Sequence, residues 1–171
     1  SMIAQYKRTP SSFDRTIEPE YGSTPQLAIP NVYRETLTSG IQVFGIEDNE
    51  VPLVHLQLEI KGGMLLENLE KIGVSRMLAD LMNKGTATKT PSELEEAIDQ
   101  LGASINVRSS NSHISISASS LSRNYNEVIK LVNEILLEPR WDEKEFGLIK
   151  QQTLSQIQQQ KASPRAIAGN E

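Results

Sequence analysis

The chain contains no cysteine in its 171 residues, which excludes disulfides, thiolate-bound zinc and a thiol nucleophile. That absence does not choose between a reducing and an oxidising compartment. Histidine is nearly absent too: His55 and His113 are the only two, and neither has another His nearby in sequence. No apolar run approaches the roughly 20 residues that span a bilayer, and the first thirty residues lack a signal-peptide hydrophobic region. Basic blocks are missing as well. With a formal net charge of −5, the chain has no electrostatic footprint for nucleic acid or an anionic membrane. What remains is the composition of a soluble globular protein, 37% hydrophobic and 23% charged, in a length that suits one domain.

Four of the eight prolines, Pro10, Pro19, Pro25 and Pro30, fall in the first thirty residues among Ser, Thr, Arg and Glu. Residues 1–31 therefore read as a Pro-rich linker or extended arm, and residues 32–171 as the domain. Ser1-Met2 has the look of a cloning remnant. Tyr33 to Leu37 and Ile41 to Ile46 flank Thr38-Ser39-Gly40, which predicts a hairpin. Val54, Leu56, Leu58 and Ile60 alternate with polar residues up to Gly62-Gly63 and predict a third strand with one apolar face.

Helix signals follow. A helix over Val74 to Asn83 gathers Val74, Met77, Leu78, Leu81 and Met82 on one side, with Arg76, Ala79, Asp80 and Asn83 on the other. Thr90-Pro91-Ser92-Glu93 combines an N-cap Thr, Pro at the first helical position and Glu three residues after the cap, so a helix is expected from Pro91 to about Leu101. Ile105 and Val107, then Ile114, Ile116 and Ala118, predict an antiparallel hairpin across a turn at Ser109 to Ser112. Two long helices are expected at the end, from about Arg123 to Leu137 and from about Asp142 to Lys161. The order of three strands, two helices, two strands and two helices implies an α+β fold, a mainly antiparallel sheet with helices on one face. The last residues, Ala166 to Glu171, add no further strand, so a domain truncated at its C-terminus is expected.

The run from Gly73 to Thr86, GVSRMLADLMNKGT, has the frame of an inverted zinc motif, H-x-x-E-H followed by a short apolar stretch and Lys-Gly-Thr. Around it, in order, stand Gly62-Gly63, Leu101-Gly102-Ala103-Ser104-Ile105-Asn106, and Glu138-Pro139 followed by Phe146 on a long polar helix. Over roughly Glu35 to Pro164 the chain thus resembles the pitrilysin and insulinase family of zinc metallopeptidases. The resemblance implies a metallopeptidase/LuxS-like half-domain, one of two or four related halves that enclose a chamber, with zinc in only one kind of half.

Carried over residue by residue, the resemblance removes the chemistry here. Arg76, Ala79 and Asp80 stand where the family has its first His ligand, its general-base Glu and its second His, and the third ligand position falls at Gln156. A guanidinium has no lone pair to donate and would repel the cation, and Ala offers no base. One carboxylate falls short of the three protein ligands of a catalytic zinc site, and an amide is a poor donor. No catalytic residue and no metal ligand is therefore expected in this chain, with zinc expected in a catalytic half or partner. Arg76 and Asp80 read either as an exposed i,i+4 charge pair or as a replacement for the metal that ties to Gln156.

Other candidates have plainer readings. His55 and His113 are lone strand histidines, read as surface or hydrogen-bonded residues. Glu93, Glu95 and Glu96 form a solvated first turn that complements the helix dipole. The Gln-rich run from Gln156 to Gln160 is a polar helix face.

In the family, the strand matching Ser104, Ile105, Asn106, Val107 and Arg108 is a sheet edge to which substrate peptide adds, so these five are the peptide-binding candidates, or else merely a hairpin strand. Asn106 matches the family's Asn, and Val107 replaces an Ala. The expected function is that of a non-catalytic domain of a zinc-dependent peptidase. It would contribute chamber wall and peptide or partner contacts to a parent metalloendopeptidase, which holds the catalytic half on the same chain or on a partner subunit. The alternative is a purely structural scaffold subunit of the same fold. Family resemblance points to the bacterial periplasm or cell envelope.

Overall fold

The computed structural model describes residues 29–162, together with Phe13, Asp14, residues 16–18, residues 20–24 and Gln26. Most of the Pro-rich arm and the expected truncation at 166–171 lie outside the described residues. The chain divides into two compact units, Ser1–Asp48 and Asn49–Glu171. Within the first, strands β1 (Val32–Thr36) and β2 (Gln42–Ile46) pair antiparallel, from Val32 opposite Ile46 to Thr36 opposite Gln42. Gly40 closes the turn at φ 85°, where a side chain would be strained, and its N–H donates to the Leu37 carbonyl at 2.8 Å. Arg34 stacks its guanidinium over the Phe44 ring, 5.6 Å from the centroid. This hairpin forms a two-stranded sheet of its own.

The second unit is built on a three-stranded antiparallel sheet in the order β3-β5-β4. Strand β3 (Leu53–Lys61) pairs with β5 (His113–Leu121), and β4 (Ser104–Ser109) pairs with β5 on its other side. Period-two alternation gives the sheet two chemically distinct faces. Val107, Ile116 and Ala118 point into the core, where Ile116 is fully buried. The opposite face carries His55, Gln57 and Glu59 from β3, Ser115, Ser117 and Ser119 from β5, and Ser104, Asn106 and Arg108 from β4. A shallow groove on that face is lined by His55, Gln57, Ser104, Ser117 and Ser119, with the Ser104 and Ser119 hydroxyls 2.8 Å apart.

Three helices cover the apolar face, and a fourth, the last, packs against the first of them. They are α1 (Val74–Met82), α2 (Pro91–Gln100), α3 (Tyr125–Leu137) and α4 (Glu143–Ala162), with short 3-10 turns at Met64–Leu66, Leu69–Lys71 and Ser122–Asn124. The core gathers Ala79 and Met82 from α1, Leu94 from α2 and Val128, Leu131, Val132 and Ile135 from α3 against the strands. Helix α2 begins with the expected reciprocal cap: Thr90 Oγ1 accepts from the Glu93 N–H, and the Glu93 carboxylate accepts from the Thr90 N–H. At the start of α4, Asp142 Oδ1 accepts from the N–H groups of Lys144 and Glu145.

Two glycines of the sequence motifs have steric reasons to be glycine. Gly63 (φ 96°) and Gly85 (φ 105°) both lie in the left-handed region, and a Cβ there would run into the carbonyl oxygens of Ser110 and Lys89 respectively. The expected face of α1 needs correction. Val74 is exposed, whereas Ala79, on the side read as facing away from the core, is only 1% exposed. The helix packs against β4 through its small residues, Ser75 and Ala79, which allow close approach, and Ser75 meets Ser109 hydroxyl to hydroxyl at 2.9 Å.

Candidate functional site

The motif helix is positioned from both ends. Its N-cap is Gly73, which has no side chain with which to cap, and the first N–H groups are satisfied instead by Glu67. The Glu67 carboxylate accepts from the Gly73 and Ser75 N–H groups, each at 2.6 Å. Hydrogen bonds from the Ser75 side chain and from those two amides hold its carboxyl below the usual carboxylate range. After α1, the Lys-Gly-Thr turn is tied to α3. Lys89 Nζ lies 2.7 Å from the Glu134 carboxylate, which also accepts from the Thr88 hydroxyl and, at 3.3 Å, from that of Thr86. Lys89 first and Thr88 next lower the Glu134 pKa.

Between these supports the four motif positions converge without forming a metal site. Arg76 Nη2 donates to Gln156 Oε1 at 3.1 Å, joining α1 to α4 across 80 positions of sequence. Arg76 Nε lies 4.0 Å from Asp80 Oδ2, both side chains being largely exposed. Ala79 is packed into the core and presents nothing to this surface. The donor set does not fit a zinc ion: where the resemblance puts the first ligand stands a permanent cation, itself hydrogen-bonded to the Gln156 amide. Among the described residues there is no group of three or more His, Cys, Asp or Glu that could hold a metal. His113 instead meets the Ser112 hydroxyl at 3.0 Å and lies 3.7 Å from Glu59, and His55 lines the groove on the polar sheet face.

The five peptide-binding candidates all lie on β4, an edge strand of its sheet among the described residues. Backbone groups along a strand face its two edges alternately, so those of Ile105, Val107 and Ser109 share one edge. The Val107 groups show which. Its N–H donates to Asn83 Oδ1 at 3.0 Å and its carbonyl accepts from Asn83 Nδ2 at 2.9 Å, so they point away from β5. Ser104, Asn106 and Arg108 thus turn their backbone groups toward β5 and their side chains onto the polar face. Ile105 and Ser109, on either side of Val107, are left with outward backbone groups that none of the described hydrogen bonds uses. Sequence reasoning missed Asn83 and Glu67. The amide at the end of α1 carried no local signal, because its partner lies 24 residues away.

A sequence profile described as Insulinase (Peptidase family M16) matches residues 43–170. The chain belongs to this family. An M16 relative of known structure, an inactive domain from Pseudomonas fluorescens, superposes with a TM-score of 0.77 at 25% identity, over 81% of this chain and 34% of that one. By sequence, the chain is 22% identical over 130 residues to the Helicobacter pylori non-peptidase homolog YmxG, covering 76% of this chain and 30% of the homolog. It is 27% identical over 128 residues to an uncharacterized zinc protease of Rickettsia felis, covering 75% and 31%. The M16 relatives are thus about three times as long as the segment they share with this chain. No described helix is long and apolar enough to cross a membrane.

Proposed function

We propose that this chain is a non-catalytic domain of an M16 metalloendopeptidase, contributing chamber wall and peptide or partner contacts while zinc is held by a catalytic half on the same chain or on a partner subunit. The observation that carries the reading is the bond between Arg76 and Gln156. Two positions at which the family binds metal are here bound to each other, inside a frame whose glycines, caps and core are intact. The polar sheet face, with four Ser beside Gln57 and Asn106, supplies a wall that can hydrogen-bond to an unfolded chain. Leu65, Leu66, Leu69 and Ile72 form a run of exposed apolar side chains just before α1, a surface suited to partner contact. By family resemblance the parent belongs in the bacterial periplasm or cell envelope.

Zinc analysis and a peptidase assay, on this chain alone and mixed with its catalytic half or genomic neighbour, test the reading. Zinc-dependent activity confined to the mixture is expected. Bound zinc with activity in the chain alone would overturn it. The similarity to a non-peptidase homolog favours one second reading, a scaffold of the same fold, for which no mixture would be active.

A further inference from the structure

We infer that Asn83 is a gate on the open edge of β4, and that an extended peptide strand adds there only by exchanging its own backbone for the Asn83 carboxamide at Val107. The inference rests on the reading of β4 as a peptide-contacting strand and concerns how that contact is controlled. A primary carboxamide is chemically a truncated peptide unit, a carbonyl beside an N–H donor. Asn83 presents both to Val107, accepting from its N–H at 3.0 Å and donating to its carbonyl at 2.9 Å. This is the pair of bonds that one residue of an antiparallel strand makes with its partner. The side chain already sits where the backbone of an added strand would be.

The gate is held in register by a third bond. Asn83 Nδ2 also donates to the Ala79 carbonyl at 2.8 Å, one turn back on its own helix, which fixes the amide plane toward the strand. Opening it requires the side chain to rotate away at the C-terminal end of α1, where Asn83 is the C-cap residue and half-buried. The ligand class follows from what remains. Ile105 and Ser109 keep outward backbone groups on either side of Val107, so recognition is by main chain and suits an extended segment of any sequence that can lie flat against β4. A strand confined to one side of Val107, at Ile105 or at Ser109, gains too little, and one that spans Val107 must displace the gate.

The test uses the whole chain and, as probe, an acetylated and amidated heptapeptide of alternating Thr and Val. Binding is followed by amide NMR of the 15N-labelled protein, with hydrogen exchange of the Val107 amide measured in parallel. Asn83→Ala is expected to bind the probe at least about tenfold more tightly than the parent, since two neutral hydrogen bonds no longer compete, and its free Val107 amide is expected to exchange faster. Asn83→Asp keeps the acceptor for the Val107 N–H but loses the donor, so an intermediate affinity is expected, and it serves if the alanine variant does not fold. Equal affinity in all three proteins overturns the gate while leaving β4 as a peptide edge. No binding by any of them, with Val107 exchanging faster in Asn83→Ala, overturns the peptide reading of β4 itself and the gate with it.

Discussion

Arg76 on α1 donates to Gln156 on α4 at 3.1 Å, and this bond spans two positions at which family resemblance puts zinc ligands. Helix α4 needs such a tie, because much of its surface is polar and Ile149 is its one core-buried apolar side chain among the described residues. A double-mutant cycle on Arg76→Ala and Gln156→Ala is expected to give a coupling of about 0.5–1 kcal/mol by chemical denaturation, the usual worth of a partly exposed hydrogen bond. Arg76→Ala alone should lower the melting temperature. An unchanged melting temperature, or strictly additive variants, would reduce Arg76 to a surface charge paired with Asp80.

Ala79 stands where family resemblance puts the general-base Glu, and it is buried. Restoring that group alone, as Ala79→Glu, forces a larger and charged side chain into packed space beside Met82, Leu94 and Val107. A loss of about 2–4 kcal/mol is expected in urea unfolding. A variant as stable as the parent would show that position 79 opens to solvent in solution.

Glu67 gives stability a pH dependence. Its folded pKa lies below the unfolded value, so its contribution is fully present above the ordinary carboxylate range and is lost as pH falls through the folded value. Unfolding midpoints of the parent should therefore fall between about pH 5 and pH 3 more steeply than those of Glu67→Gln. Parallel curves for the two proteins would remove Glu67 as the cap of α1.

Glu134 serves the turn in which Thr86 is fully buried. Glu134→Ala strips a partner from Lys89, Thr88 and Thr86 together and is expected to cost about 1–3 kcal/mol. Lys89→Met leaves both threonine hydroxyls with their acceptor and should cost less. The reverse order, measured by thermal melts, would mean that charge pairing outweighs the hydroxyl bonds. Acid should act here in the same direction as at Glu67, since Glu134 is also held below its ordinary pKa.

The order of elements was legible because each element advertises itself locally. Period-two alternation marks β3, and β5 follows the same pattern with Ile114, Ile116 and Ala118 facing inward. Thr90 and Glu93, three residues apart, contain both halves of their reciprocal cap. Leu81 and Met82 of α1 are buried as the pattern predicts, whereas Val74 is exposed and Ala79 buried for an equally local reason. Hydrophobicity selects Val74, but close helix-to-strand packing selects Ser75 and Ala79, and nothing inside the helix says that β4 approaches so near.

By itself the sequence determined the kinds and order of elements and the family frame, since these depend on residue chemistry and on neighbours within a few positions. Tertiary structure alone decided that Arg76 meets Gln156, that Glu67 caps α1 and that the Asn83 carboxamide closes the edge of β4 at Val107. Those bonds join groups 80, 8 and 24 residues apart. The resemblance offered the tie to Gln156 as one of two readings of Arg76; the partners of Glu67 and Asn83 are chosen by how sheet and helices stack, and a one-dimensional pattern carries no record of which groups that stacking brings together.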